Sequence, residues 1–115
     1  MIPAAVRIFV FAEAIDMRQG FDRLAQLVRS KLGEDPQSGS LFVFANRTAT
    51  RLKALWFDQN GFCLLYKRLH RAVFELPSSS GGVSVQLDAR QLAELLRGSP
   101  RASRRRNVRR TSAPA

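Results

Sequence analysis

The stretch DMRQGFDRL, Asp16 to Leu24, sets two carboxylates and two guanidiniums within nine residues and is the densest cluster of chemistry-bearing side chains in the first half of the chain. Acid-based catalysis needs carboxylates grouped with a metal or a proton partner. The nine acids spread along 115 residues contain no D-x-D and no H-E-x-x-H. No nucleophile elbow G-x-S-x-G accompanies the single histidine, His70, and no G-x-x-x-x-G-K-[ST] phosphate loop is present. Cys63 has no second cysteine to pair with and stands among Phe62, Leu64 and Leu65, which reads as an inert buried thiol. One cysteine and one histidine cannot assemble a zinc site. The expectation is a protein that is not an enzyme, with no metal and no cofactor.

Within DMRQGFDRL, Asp16 and Gln19 have the D-x-x-Q spacing of a helix start, where a carboxylate accepts orphan N–H groups at the positive end of the dipole. Arg18 and Asp22 then share a helix face, and an exposed pair of that kind contributes about 0.3 to 0.5 kcal/mol. Capping leaves Arg18 unexplained. A cation in the first turn opposes the dipole, so Arg18 is expected to contact a phosphate or a partner.

The remaining signal is basic. The chain has 19 Lys and Arg against nine acids, a net charge of +10. Six of the nineteen lie after Gly98, where there is no acid, so the body through Gly98 carries +4, ten less six. Such an excess favours a polyanion, because bound cations release the counterions condensed on a phosphate backbone. DNA is the expected partner. Arg47, Arg51 and Lys53 on one run, and Lys67, Arg68 and Arg71 on another, are expected to meet when the two runs pair, forming a patch near Trp56 and Tyr66. Arg104, Arg105, Arg106, Arg109 and Arg110 would add salt-sensitive affinity from the tail.

These residues need elements to position them. VRIFVF, Val6 to Phe11, and LFVF, Leu41 to Phe44, read as strands, and Phe21, Leu24, Val28 and Leu32 make a helical stripe from Asp16 to a stop at Gly33. RLKALWFDQNGFCLLYKRL reads as a hairpin about Asp58 to Gly61, with Asn60-Gly61 supplying positive φ. AVFELP is expected as an edge strand and VSVQL as another strand, followed by a helix capped by Asp88 and Gln91 and ended by Gly98 and Pro100. SPRASRRRNVRRTSAPA has one large aliphatic residue and is expected to stay disordered until bound. The fold class expected is α+β: a small, curved antiparallel sheet with two helices packed on it over residues 1 to 98, and a disordered Arg-rich tail over 99 to 115. The N-terminal apolar run is short and broken by Arg7, so neither signal peptide nor membrane span is expected. A cytoplasmic location follows, nucleoid-associated when bound to DNA.

Taken together, MIP before a VR-led strand, DMRQGFDRLAQLV, DPQSGSLFVFANR, RLKALWFDQNGFCLLYKRL and VFELP resemble the TnpB-type accessory proteins of the IS sixty-six family of bacterial insertion sequences, over about residues 1 to 98. Asp16, Met17, Arg18, Gly20, Phe21 and Asp22 match that family's first motif. Phe42, Val43, Phe44, Arg47, Lys53, Trp56, Asp58, Gly61, Lys67, Arg68, Leu69, Phe74 and Pro77 match its later one, with Ala72 where glycine is usual and Leu76 in place of a tryptophan. The resemblance implies a protein that assists transposition, the strand-transfer chemistry belonging to a separate transposase. It implies as partners that transposase, the other accessory protein of the element and DNA, whether the insertion-sequence ends or any sequence. The competing expectation is a subunit that docks on the transposase through Arg18 and exposed aromatics, without binding DNA.

Overall fold

The structure is a computed structural model that describes residues 7 to 100. Strand β1 (Ile8–Phe11) is followed by helix α1 (Phe21–Leu27), which widens into a π-helical turn over Val28–Leu32. Strands β2 (Leu41–Ala45), β3 (Arg51–Asp58), β4 (Gly61–Arg68), β5 (Ala72–Val73) and β6 (Ser84–Leu87) precede helix α2 (Ala89–Arg97) and strand β7 (Ser99–Pro100). Five strands form one sheet in the order β4-β3-β2-β1-β6, while β5 pairs with β7 in a separate two-stranded ribbon.

The sheet is mixed. β1 and β2 run parallel and every other pairing in it is antiparallel, so the antiparallel sheet expected from the sequence holds with one parallel pairing at its centre. The cause is the connection: two adjacent strands joined through a helix come back pointing the same way. Both of these inner strands are buried throughout, which is why IFVF and LFVFA are continuous apolar runs without alternation.

Each face carries one helix. On the first, Leu24, Ala25 and Val28 of α1 and its continuation pack on Phe9, Phe11, Phe42, Phe44 and Leu55. Phe9 stacks on its parallel partner Phe42 with ring centroids 5.5 Å apart, and Phe11 meets Phe44 edge-on at 5.8 Å. On the second, Leu92 and Leu95 of α2 pack on Ile8, Val10, Leu41, Val43, Leu52, Ala54 and Trp56. Each such large side chain contributes about 1.5 to 3 kcal/mol through burial. The result is a helix, sheet, helix sandwich.

Asp88 caps α2 as its sequence suggests, its Oδ1 accepting from the Gln91 N–H at 2.8 Å while Gln91 Oε1 accepts from the Asp88 N–H at 2.9 Å. The matching expectation for Asp16 fails. α1 starts at Phe21 with Gly20 as its N-cap, so Asp16, Arg18 and Gln19 lie in the loop before it and Arg18 shares no helix face with Asp22. The π-helical turn does end on Gly33, in the left-handed conformation at φ 65°. In the hairpin the positive φ falls on Gln59, at 49°, and not on Asn60 or Gly61, because Gly61 already belongs to β4 opposite Asp58. Of AVFELP only Ala72–Val73 forms a strand, and it pairs with Ser99–Pro100, residues the sequence reading placed in the tail.

That small ribbon depends on Gly98. Its backbone turns at φ 73°, ψ 178°, a region open essentially to glycine alone, and a Cβ there would lie 2.6 Å from Leu69 Cδ1 and 3.1 Å from the Val73 carbonyl oxygen. Gly98→Ala is expected to lower unfolding stability by about 1 to 3 kcal/mol in urea denaturation. Ala93→Gly, at an exposed site within α2, should cost only about 1 kcal/mol by the propensity difference.

Candidate nucleic-acid interface

The hairpin turn of two residues fixes the register of β3 on β4: Arg51 faces Arg68, Leu52 faces Lys67, Lys53 faces Tyr66 and Trp56 faces Cys63. Since side chains alternate, Arg51, Lys53, Tyr66 and Arg68 rise on the α1 side of the sheet, and Leu52, Trp56, Cys63 and Lys67 on the α2 side. The six cations expected to make one patch are therefore divided.

Lys53 is withdrawn from it. The residue is 6% exposed, and its Nζ donates to the carbonyl oxygens of Met17 at 2.7 Å and Gln19 at 2.8 Å while lying 4.8 Å from the centre of the Tyr66 ring. Its expected role as a phosphate contact is replaced by a structural one. A buried ammonium needs its donors filled, and here two backbone oxygens and the negative face of a π system fill them. Lys67 faces the other way and donates to the Leu96 carbonyl at 2.7 Å, where a cation complements the C-terminal end of α2. Trp56 is 6% exposed within the α2-side core, so it borders no basic patch.

Arg51 and Arg68 do come together, opposite one another at the free end of the hairpin. Like charges in directly opposed positions repel, so this pairing is not explained by stability. The ion pairs among the described residues are Arg7 with Glu34, Arg18 with Asp16 and Arg90 with Glu94; none involves Arg47, Arg51, Arg68 or Arg71. An open hollow of about 300 Å³ is lined by Arg51, Tyr66 and Arg68, and a second of about 480 Å³ beside it is lined by Thr50, Arg51, Arg68, Leu69, His70 and Arg71. Arg51 Nη1 donates to the Tyr66 hydroxyl oxygen at 3.3 Å. Arg71 stands in the left-handed conformation at φ 65°, turning the chain away from β4 at the rim of the second hollow.

Arg47 projects from the turn between β2 and β3. Asn46 organises that turn, its Oδ1 accepting from the N–H groups of Thr50 at 3.0 Å and Arg51 at 2.9 Å and its amide donating to the hydroxyls of Thr48 and Thr50. Ala49, fully buried at φ 58°, anchors it from below, and its carbonyl accepts from the Phe74 N–H at 2.6 Å. Arg47 is left exposed on a stiff loop. Arg104, Arg105, Arg106, Arg109 and Arg110 lie outside the described residues.

Arg18 has a partner within its own loop. Its Nε and Nη2 both bond the Asp16 carboxylate, Nη2 to Oδ2 at 2.6 Å, and its N–H adds a bond to Oδ1 at 2.9 Å. These bonds to the charged form hold the Asp16 carboxyl down at about 2 from an ordinary 3.8, with the Lys53 charge a smaller contributor. Because the folded-state value is depressed, the interaction is complete above the ordinary value and is lost as pH falls through about 2. The Arg18 side chain is nonetheless 91% exposed, so it remains at the surface as half of a compact ion pair.

Tyr66 is the residue that composition alone does not single out. The signal for it is the register: once Gln59 and Asn60 are the turn, Tyr66 must stand across from Lys53 and beside the Arg51–Arg68 pair.

Two measurements check this division of roles. Lys53→Met, which leaves the Met17 and Gln19 carbonyls without their donor, is expected to cost about 2 to 4 kcal/mol of stability, whereas Arg51→Ala stays within about 0.5 kcal/mol of the parent. In a carboxyl NMR titration Asp16 should titrate near pH 2, and in Arg18→Gln its value should move back up towards 3.8.

Comparison with known proteins places the chain. The family model described as IS66 Orf2 like protein matches residues 6–106. The uncharacterized protein y4hO of Sinorhizobium fredii is 41% identical over 100 residues, covering 85% of this chain and 86% of that one. The uncharacterized protein y4jC of the same organism is 35% identical over 77 residues, covering 67% and 66%. No solved structure matches. The chain belongs to the IS66 Orf2-like family of insertion-sequence accessory proteins.

Proposed function

We propose that this accessory protein acts without catalysis of its own by holding DNA on the α1-side face at the open end of the β3–β4 hairpin. The observation that carries the reading is the opposed pair Arg51 and Arg68, which has no carboxylate partner among the described residues and borders two open hollows. Repulsion between two aligned guanidiniums is relieved when an anion sits between them, and a phosphate accepts forked N–H donors from both. Arg71 and Arg47 extend the positive rim, and the five tail arginines from Arg104 to Arg110 supply further phosphate contacts. Contacts of this kind position the protein without reading sequence, so the element's ends would be told from other DNA by the transposase or by DNA shape. Such a protein works in the cytoplasm, on the nucleoid.

A second reading, docking on the transposase, is favoured by two features near α1: Phe21 is 46% exposed at the first position of the helix, and the Arg18–Asp16 pair stands exposed just before it. The two readings use different residues and separate by experiment. For DNA binding, log Kd plotted against log salt should be linear, each phosphate contact contributing about 0.9 to the slope on duplex DNA. Arg51→Ala and Arg68→Ala are each expected to reduce the slope by about 1, and truncation after Pro100 to reduce it by several. Arg18→Ala should leave it unchanged. If the full chain shows no salt-dependent binding to any DNA yet copurifies with the transposase in a manner lost on Arg18→Ala or Phe21→Ala, the docking reading replaces it.

A further inference from the structure

The two cations at the end of the hairpin flank an aromatic ring, and that ring is held in place. Tyr66 is 50% exposed, on the edge strand of the sheet. The buried Lys53 ammonium lies 4.8 Å from its centroid, and the Arg51 guanidinium donates to its hydroxyl at 3.3 Å. Since Lys53 is itself fixed by two carbonyl oxygens, the ring is anchored at its face and at its tip. The hollow beside it is walled by Arg51 and Arg68 and is open to solvent.

Resting on the DNA-binding reading above, we infer that this hollow takes an unpaired nucleotide: the base stacks on Tyr66, and the adjoining phosphates are held by Arg51 and Arg68. Three observations favour a nucleotide over phosphate alone. A phosphate needs only the guanidiniums, which two arginines would supply without an aromatic between them. The ring is half-exposed on the sheet surface yet pre-oriented, so little rotamer entropy is lost when a base is laid on it. The cation on Lys53, already against the ring, polarises the π system and leaves the rest of the ring accessible to a second flat group. Bases within a duplex are stacked on one another and present only their edges, so a ring on a sheet face reaches a base only where the strand is single or the base is extruded. The ligand is therefore single-stranded DNA or a duplex with an unpaired base. In transposition that chemistry describes a strand end or a locally melted junction.

The test uses the full chain and two fluorescein-labelled oligonucleotides of one sequence, a single strand and its perfectly paired duplex, with anisotropy read at fixed salt. Stacking of one base on an aromatic is worth about five- to a hundredfold in affinity. The parent should bind the single strand, Tyr66→Ala should lose about tenfold or more on it with little change on duplex, and Tyr66→Phe should retain single-strand affinity because the hydroxyl does not stack. Trp56 lies on the opposite face, so unchanged Trp56 emission certifies that each variant is folded. If Tyr66→Ala binds both DNAs as the parent does, or weakens both equally, the nucleotide site is wrong while the basic face stands. If the parent binds neither DNA in a salt-dependent way, the underlying reading fails with it.

Discussion

The ammonium of Lys53 is the point at which the loop before α1, the third strand and the edge strand are tied together. It reaches across the sheet surface to the carbonyls of Met17 and Gln19 and lies against the ring of Tyr66. Without that charge the DMRQG loop would have no polar attachment to β3, and two backbone acceptors would go without their donor. The geometry also constrains everything around it. A buried cation among neutral acceptors gains from a nearby negative group, and Asp16, held in its charged form by three donor groups of Arg18, supplies a field at this loop. The motif Asp16, Met17, Arg18 and the lysine on β3 thus form one local structure, although 34 residues of sequence intervene between Arg18 and Lys53 by their numbering.

The sheet then separates charge by face. On the α1 side, Arg51 and Arg68 flank Tyr66 at the open end of the hairpin, and the like-charged pair is tolerated because both side chains reach solvent. On the α2 side, Lys67 is turned onto the last turn of the helix, and the hollow between α2 and the segment after β5 is lined by Glu75 and Glu94 together with Pro77, Leu87, Gln91 and Leu95. The first hollow is therefore lined by cations and the second by acids. One strand alternation produces both outcomes, since residues 51, 53, 66 and 68 share a side and residues 52 and 67 share the other.

Elements with strong local signals were readable in the amino-acid sequence. The apolar runs of β1 and β2, the D-x-x-Q cap of α2, the glycine that ends the π-helical turn and the place of the β3–β4 hairpin each follow from side-chain chemistry within a few positions, whereas the positive φ of that hairpin falls on Gln59 and not on the Asn60-Gly61 pair. Asp16 carries the same D-x-x-Q signal as Asp88 and forms no cap, because its carboxylate is taken by Arg18 two residues on and the chain does not become helical until Gly20 has passed. The parallel pairing of β1 with β2 is a property of the crossover, invisible in either strand alone. At the candidate site, the approach of Arg51 to Arg68 follows from hairpin register and was legible. The burial of Lys53 was not: it depends on a carbonyl pair contributed by a distant loop, and a lysine within an alternating strand looks the same whether its end meets water or backbone.

The central claim is that DNA meets the α1-side face at the end of the hairpin and that the opposite face stays free. The direct measurement is a map of amide and side-chain NMR shifts in uniformly labelled full-length protein titrated with a short single-stranded oligonucleotide. The account predicts shifts at Arg51, Tyr66, Arg68 and Arg71, with the Trp56 indole and the residues around Glu75 and Glu94 unmoved. Shifts gathered on α2 and the acidic hollow, or a surface that does not respond to DNA at all, would contradict it.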